Sequence, residues 1–464
     1  MSDTDLLIVP EPSGPSTSAD VRGINVINRN VRFRILHPNG IIQKCLALLL
    51  MCLLGFGSYF CYDNPAALED YFIKNMTLST TEFVFLYSWY SWPNVILCFI
   101  GGFLMDKVFG IRLGTCIYAL FVVIGQLIFA YGAYINLFSV VVLGRFIFGI
   151  GGESLAVAQN SYAVVWFKGD VLNMVFGFQL SIARAGSAVN FFLMEPLYKF
   201  LSNYYTGYQC LGLTLLVAGL SCIVSFISSI FLAWQDKYAE KILNRKQNQL
   251  NETVKLSDIK NFPLTFWLTI FIIVFYYSAI FSFVSLGKLF FETKFHMISS
   301  TANMVNSILY LISAFLSPFL GFLIDKLGKN VSVVFCSLLI TVIGHIVLTL
   351  TQFNPIISMC YIGLSYSMIA SALWPLIAFV TPEHLLGTAY GIAQSLENFG
   401  MCIIQIIAGI IVDKYGFLVL EGYFISCFCV ALIFVIILWL YDLKHNGFLN
   451  MSSRQRKEFL ERQA

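Results

Sequence analysis

Long apolar segments recur along the whole chain, and this feature constrains its fold more than any other. Each segment holds about 20 residues with almost no charge, which is enough to cross the hydrocarbon core of a bilayer. A segment in lipid must satisfy its own backbone hydrogen bonds, so each one is predicted to be a helix. The predicted spans one to twelve cover residues 41–62, 83–103, 112–133, 138–163, 172–195, 207–234, 264–288, 300–323, 330–350, 355–379, 388–412 and 417–441.

Composition agrees with a membrane protein and argues against several other classes. Hydrophobic residues make up 58% of the 464 residues and charged residues only 11%, whereas soluble chains carry charge on about a quarter. The net charge of +3 is too small to indicate a nucleic-acid partner. The sequence contains nothing that resembles a catalytic triad, a phosphate-binding loop or a zinc site, and nearly all its cysteines lie within apolar runs. We therefore expect no enzyme activity, no cofactor and no metal.

Lysine and arginine are distributed unequally between the two ends of the spans. The tails and the even-numbered connections hold 21 of the 28 basic residues, and we call this side the basic face and the other side the opposite face. Because cytosolic loops carry excess Lys and Arg, the basic face and both termini are predicted to be cytosolic. The expected organisation is a tail, a six-helix bundle, a polar linker, a second six-helix bundle and a tail, at residues 1–40, 41–234, 235–262, 263–441 and 442–464.

One short motif occurs at matching places in the two halves, which indicates an internal repeat. It reads GFLMDK from Gly102, after span two, and GFLIDK from Gly321, after span eight. The motif resembles the signature of the major facilitator superfamily. This resemblance implies an all-α membrane transporter in which twelve transmembrane helices form two pseudo-symmetric bundles around a central solute site.

The chemistry of the motif suggests a gate. Its glycine lets two helices approach closely, and its aspartate can cap the start of a neighbouring helix or pair with a base. We expect these residues to latch the cytosolic side in one state of an alternating-access cycle. The predicted gating residues of the two copies are Gly102, Asp106, Lys107, Gly321, Asp325 and Lys326.

Longer strings narrow the resemblance to a lysosomal dipeptide-transporting branch of the superfamily. They read CLLGFGSYFCYDNP from Cys52, WYSWPN from Trp89, GIGGESLAVAQN from Gly149 and LWP from Leu373. The resemblance implies a uniporter that exports dipeptides, notably those with cationic side chains, from lysosomes. It also implies a heavily glycosylated single-pass partner, glycosylated lysosomal membrane protein. Two alternatives stay open, namely a proton-coupled transporter of another organic solute and a transport-inactive scaffold for that partner, and the sequence leaves a homodimer open.

Two short motifs agree with a lysosomal location. Asp3 with Leu7 and Ile8 fits an acidic dileucine sorting signal. The glycosylation sequon that starts at Asn75 lies on the opposite face, where it is too close to the membrane for easy modification. A sparsely glycosylated lysosomal protein would need a shielding partner.

Four ionisable residues are selected as lying at mid-depth in the predicted spans, where charge is costly and indicates function: Arg145, Glu153, Arg184 and Glu397. At about 1.5 Å per residue, Glu153 and Arg184 are predicted at similar depth near the midplane. A carboxylate and a guanidinium suit the two ends of a zwitterionic dipeptide, because Arg grips a carboxylate with two parallel bonds. The alternative is that the two residues pair with each other and only pack spans four and five.

The other candidates surround this predicted site. Glu397 is expected to meet a cationic side chain of the substrate, whereas Arg145 is expected to have a structural or gating role, and His345 to be a buried structural histidine. Aromatic rings can offer cation–π contacts, although core packing is the alternative for each of them. The predicted binding set also includes Tyr59, Tyr62, Trp89, Tyr276, Tyr277, Asn306, Tyr310, Trp374 and Asn398.

Overall fold

The computed structural model is helical throughout the part of the chain that it describes. The dileucine residues Asp3, Leu7 and Ile8 lie outside that part, so the sorting signal stays a prediction. The described residues are 40–78, 80–167, 171–243, 256–445 and 447–462.

The helices follow the predicted spans, usually with a few added residues at one end. Short helices at Asn64–Ala67 and Glu69–Met76 lie between spans one and two, and Ser453–Glu461 follows span twelve. The spanning helices, in order, are Ile41–Tyr62, Thr80–Ser91 with Asn94–Leu104, Gly110–Tyr134, Phe138–Phe167, Leu172–Leu201, Gly207–Leu243, Leu264–Phe295, Ser299–Leu327, Asn330–Leu350, Pro355–Val380, Leu386–Tyr415 and Phe417–Lys444.

By length and composition alone, ten helical segments of the described residues could cross a membrane. One of these segments, Phe85–Tyr134, is 50 residues long and contains both span two and span three. The two spans are joined there by the π-helix Met105–Phe109. Span five, Leu172–Leu201, is a helix of 30 residues but is too polar to be counted among the ten. All twelve predicted spans are therefore helical in the structure.

Two helices depart from the predicted pattern for local reasons. Span two breaks at Trp92 and Pro93, since proline has no amide N–H to continue the helical ladder. Span six continues to Leu243, past the predicted end of the first bundle. Arg112 on span three bonds there to Asp236 at 2.8 Å and to Glu240 at 2.6 Å, which ties the extension of span six to its own bundle.

The two halves meet where the repeated motif places a glycine. A Cβ atom on Gly102 would lie 2.0 Å from the carbonyl oxygen of Gly387, and one on Gly321 would lie 2.4 Å from that of Asn173. Spans two and eleven, and likewise spans eight and five, therefore touch backbone to backbone near the basic face. Hydrogen bonds continue this contact inward, such as the one from the Phe99 amide to the Ser395 hydroxyl at 2.9 Å.

Candidate substrate site

Arg184 lies near the middle of span five with its side chain almost fully buried. The guanidinium donates a hydrogen bond through Nη2 to the Tyr366 hydroxyl of span ten. Its Cζ atom lies 4.7 Å from the ring centroid of Tyr310, 5.6 Å from Tyr59, 5.4 Å from Tyr366 and 5.5 Å from Phe281. Aromatic faces stabilise a buried cation, but the Nε atom of Arg184 has no hydrogen-bond partner among the described residues. The arrangement leaves one edge of the guanidinium available to an anion.

Glu153 on span four is held by two neutral donors. The Tyr90 hydroxyl donates to Oε1 at 2.9 Å, and Nδ2 of Asn398, on span eleven, lies 3.4 Å from Oε2. Two glycines of span four allow Tyr90 to approach closely. A Cβ on Gly149 would lie 2.6 Å from the Tyr90 carbonyl oxygen, and one on Gly152 would lie 3.1 Å from the Tyr90 hydroxyl. This carboxylate thus joins spans two, four and eleven at one point.

The two opposed charges do not neutralise each other. Among the described residues, no ion pair within 4.0 Å joins Glu153 to Arg184, and each has neutral side chains as its hydrogen-bond partners. The alternative reading of a pair that only packs spans four and five together is therefore not what the structure shows. Two charges held apart are suited to a ligand that carries both signs.

A second acid, Glu397, follows on span eleven. It is buried, and its Oε2 accepts a hydrogen bond from Nε2 of Gln394 at 3.3 Å, one turn earlier on the same helix. Asn398 donates to the Gln394 carbonyl oxygen at 2.9 Å, and its own Oδ1 has no partner in the part of the chain that the structure describes. Span eleven therefore presents a strip of acid and amide groups next to Glu153.

Four predicted aromatic residues belong to the ring cluster around Arg184. Tyr59 and Tyr310 contact the guanidinium directly, as described above. Tyr277 lies 6.1 Å from Tyr366 between ring centroids and accepts a hydrogen bond from Nε1 of Trp374 at 3.1 Å. The C-terminal bundle thus lines the site with connected aromatic side chains.

Four other predicted residues are not brought to the charged groups. The Trp89 indole is half exposed and packs on Phe146, because the adjacent Tyr90 takes the inward position on that helix. Asn306 donates instead to the Val284 carbonyl oxygen at 2.8 Å, where span eight crosses span seven. The other two, Tyr276 and Tyr62, are in bundle interiors.

Those two tyrosines serve packing in this structure. Tyr276 is fully buried within the C-terminal bundle, where its ring lies 5.8 Å from Phe428. Tyr62 lies beside Arg145, whose Nη2 donates to the Tyr62 carbonyl oxygen at 3.1 Å. Tyr276 therefore belongs to the core of its bundle, whereas Tyr62 is half-buried and its ring lies 4.8 Å from that of Tyr90, which donates to Glu153.

Arg145 is fully buried and tethers the ends of two spans to span four. It contacts the backbone carbonyls of Cys61 and Leu86, both at 3.4 Å, in addition to that of Tyr62. Five rings surround its Cζ atom within 5.6 Å. This geometry favours the structural role among the two that the sequence suggested.

Sequence reasoning missed Tyr90, Tyr366, Gln394 and Phe281. Tyr90 belongs to the quoted WYSWPN string, but span two breaks at Pro93. The positions after Asn94 therefore do not show which residues before the break face the site. Tyr366 and Phe281 carry no distinguishing signal among the many aromatic residues of the chain. Only the packing of spans five, seven and ten reveals that these two rings meet Arg184.

The motif aspartate Asp106 caps a helix of the other half. Its Oδ1 accepts the Gly387 amide at 3.0 Å, and its Oδ2 accepts the Thr388 amide at 2.6 Å and the Thr388 hydroxyl at 2.7 Å. These amides belong to the first turn of span eleven, where backbone donors lack partners within the helix. The carboxylate also complements the positive end of the helix dipole.

The second aspartate, Asp325, repeats this arrangement on span five. Its Oδ1 accepts the amide and the side-chain Nδ2 of Asn173 at 3.2 and 2.8 Å, and its Oδ2 accepts the Met174 amide at 2.7 Å. The predicted helix-capping role is thus visible as contacts at both copies. The motif lysines point elsewhere: the Lys107 ammonium lies 5.3 Å from the Phe103 ring centroid, and Lys326 is exposed.

Comparison with known proteins gives a consistent result. A sequence model described as Major Facilitator Superfamily matches residues 48–297 and 285–459. The chain is 53% identical over 423 residues to a Homo sapiens protein named lysosomal dipeptide transporter MFSD1, with 91% of each chain covered. It is 52% identical over 426 residues to the Danio rerio protein of that name, covering 91% of this chain and 92% of the relative.

Solved structures of the same architecture share little sequence with the chain. The proton:xylose symporter XylE bound to 6-bromo-6-deoxy-D-glucose matches with a TM-score of 0.66 at 15% identity, covering 86% of this chain and 94% of that one. FucP in the outward conformation matches with a TM-score of 0.63 at 14% identity, covering 84% and 98%. These likenesses confirm the predicted fold class.

Proposed function

Since the chain belongs to the major facilitator superfamily and is a multi-pass membrane transporter, we propose that it carries dipeptides across the lysosomal membrane. The observation that carries this proposal is the pair of opposed charges, Glu153 and Arg184, which are held by neutral partners and are not paired with each other. The names of the relatives supply the substrate class and the organelle.

The two ends of a dipeptide match the two charges. Arg184 would bind the terminal carboxylate through its free Nε edge together with Nη2, in the two-bond geometry that guanidinium favours. Glu153 would bind the terminal ammonium, with Asn398 beside it as a partner for the peptide amide. In a single amino acid the ammonium and carboxylate groups are attached to the same carbon. It would therefore not reach Glu153 and Arg184 as well as a dipeptide.

Glu397 would extend the site toward cationic side chains. Its carboxylate is buried, and among the described residues no cation lies within 4.0 Å of it. A buried carboxylate without a cationic partner favours a ligand that brings one. We propose on this basis that dipeptides with Lys, Arg or His side chains are preferred.

Transport would proceed by alternating access, with the 41–234 and 263–441 bundles moving as units. Both termini and the basic face would be cytosolic, so Asp106 and Asp325 would latch the cytosolic side and release of substrate would break both contacts. The dipeptide gradient made by lysosomal proteolysis would drive uniport. Proton coupling through Glu153 or Glu397 is the alternative, and transport measured without a pH gradient distinguishes the two.

The sequon supports the proposed glycosylated partner. Nδ2 of Asn75, the atom that would carry a glycan, donates a hydrogen bond to the Tyr198 hydroxyl at 2.7 Å. An amide engaged in this way, close to the start of span two, is a poor acceptor. The transporter would then gain its protection against lysosomal proteases from glycosylated lysosomal membrane protein.

Thermal unfolding of the purified protein tests the proposed substrate. A ligand that binds the folded state raises the unfolding temperature, and saturation at about 100 times Kd adds about 2.7 kcal/mol. We expect Lys- and Arg-containing dipeptides to raise Tm and free amino acids or sugars to leave it unchanged. A shift with a sugar or an organic anion, and none with any dipeptide, would reject the dipeptide assignment.

The role of Glu397 gives a separate prediction. Glu397→Gln removes the proposed partner of the cationic side chain, and a charge-assisted hydrogen bond contributes about 1.5–3 kcal/mol. Affinity for Lys-Ala should therefore fall about 10-fold or more, while that for Ala-Ala should change little. Equal losses for both dipeptides, measured by ligand-induced Tm shifts, would place Glu397 outside the side-chain subsite.

A further inference from the structure

The C-terminal tail folds back onto the basic face of the second bundle. We call residues 447–462 the tail segment. Within it, the Asn450 carbonyl oxygen accepts the Lys329 amide at 3.1 Å, and the Asn450 Oδ1 accepts the Ser332 amide at 3.2 Å. The Leu449 amide donates to Oδ1 of Asp442 at 3.0 Å. These bonds fix the tail segment across the ends of spans nine and twelve.

The connection between spans eight and nine is shaped for this contact. Gly328 has a φ of +70°, which a residue with a side chain rarely adopts. A Cβ atom at this position would also lie 2.5 Å from the Ser452 amide nitrogen, so the close approach of the tail requires glycine. Gly328 follows the GFLIDK motif after one leucine, Leu327. The contact of the tail segment at Gly328 is therefore close in sequence to Asp325.

Arg456 carries a buried charge in the tail segment. Its side chain is almost completely enclosed, with Cζ only 3.6 Å from the ring centroid of Phe379 at the end of span ten and 5.5 Å from that of Phe448. Nη2 donates to the Met451 carbonyl oxygen at 2.9 Å. A guanidinium stacked on aromatic faces is rigidly held, so its charge has a fixed position.

Two carboxylates act on this charge. Burial lowers the pKa of Arg456 to about 10, while the negative charges of Asp325 and Asp442 oppose that change, so the guanidinium stays charged near neutral pH. Asp442 anchors the tail segment itself, as described above. Asp325 is the acid that caps span five of the other half through the Asn173 and Met174 amides.

We propose that Arg456 is a positioning residue for transport. By anchoring the tail segment against the connection between spans eight and nine, it keeps Asp325 in the position from which it caps span five, and so favours closure of the basic face. A positive charge on the second bundle stabilises the carboxylate that must reach across to the first. When the halves separate, Asp325 loses the amides of span five, but the tail segment stays docked on the second bundle, so the carboxylate remains positioned for the next closure. The proposal rests on the alternating-access part of the proposed function, and not on the identity of the substrate.

Hydrogen exchange of the full-length protein in lipid tests this coupling without any ligand. Arg456→Gln should raise exchange several-fold in peptides that contain Asn173 and Met174, which Asp325 caps. Peptides that contain Gly387 and Thr388, which Asp106 caps, should change less. Arg456→Lys, which keeps the charge, should give an intermediate value.

A matched control lies on the same short helix. Arg454 is also an arginine of Ser453–Glu461, but its side chain is 90% exposed, and its Nε atom pairs with Glu458 at 2.9 Å. Arg454→Gln should leave the exchange of both helix starts at the wild-type value. If Arg456→Gln loosens only the tail segment and leaves the Asn173 and Met174 peptides protected, the tail is a passive surface element and the proposal is wrong.

A second variant keeps the test decisive if Arg456→Gln does not fold. Gly328→Ala would push Ser452 away without altering either charge, and it should raise the same span-five exchange. Normal protection of span five in a folded Gly328→Ala protein with a displaced tail would overturn the proposal. Because no substrate is present, a failure of the dipeptide assignment leaves this result unaffected.

Discussion

Replacement of Arg184 by glutamine is expected to abolish dipeptide binding and transport. The guanidinium is the only described cation near the ring cluster, and it would supply both hydrogen bonds to the terminal carboxylate. Loss of one partner from a buried, hydrogen-bonded charge pair costs about 2–5 kcal/mol, which is on the order of 100-fold in affinity. The dipeptide-induced Tm shift should disappear at concentrations that saturate the wild-type protein.

Two further variants distinguish a loss of substrate binding from a loss of protein stability. Arg184→Lys keeps the charge but loses the planar two-bond geometry, so weak binding should remain. Lys199→Gln removes the same charge from the exposed end of the same helix, where it pairs with Glu195, and should bind normally. A wild-type Tm shift in folded Arg184→Gln would show that the carboxylate binds elsewhere and would remove the main support for the proposed site.

Depth along a helix can be predicted from the sequence, whereas rotation about its axis is much harder to predict. The constant rise per residue was enough to select Glu153 and Arg184 as charges inside the spans with a predicted common depth. It gave no means of finding Tyr366, because that ring reaches Arg184 from a helix of the other half. Contacts between the halves depend on how the two bundles dock, and no local sequence pattern predicts that arrangement.

Adjacent aromatic residues show the same limit at finer scale. Trp89 and Tyr90 differ by one position and therefore by about 100° around the helix, so only one of them can face Glu153. Trp89 was predicted to belong to the binding set, but the structure directs the tyrosine inward and leaves the tryptophan half exposed. Asn306 does not reach the charged groups either, since its side-chain amide donates a hydrogen bond to a backbone carbonyl of span seven.

The repeated motif was more informative because its chemistry is local. A glycine followed four residues later by an aspartate predicts a close helix contact and a helix cap. What the sequence did not specify is the identity of the capped helices, span eleven for Asp106 and span five for Asp325. Two caps of the same kind, one in each direction between the halves, make the contact at the basic face pseudo-symmetric.

This symmetry leads to the second large effect, which is expected for Gly102→Ala. The new methyl group would lie 2.0 Å from the Gly387 carbonyl oxygen, so the halves could close only if spans two and eleven moved apart. Overpacking costs about 1–3 kcal/mol, which corresponds to about a 5- to 150-fold loss of the closed conformation relative to the open one. Transport should fall accordingly, because the cycle needs both conformations.

The measurement combines transport in proteoliposomes with hydrogen exchange at the start of span eleven. In Gly102→Ala the Gly387 and Thr388 amides should lose the protection that Asp106 gives them. Gly409→Ala is the matched control, since an added Cβ there has nothing within 4 Å. Gly321→Ala should reproduce the effect at Asn173 and Met174, because its Cβ would lie 2.4 Å from the Asn173 oxygen. If both motif variants transported at the Gly409→Ala rate, closure of the basic face could not be a step of the cycle, and the two aspartates would be structural caps alone.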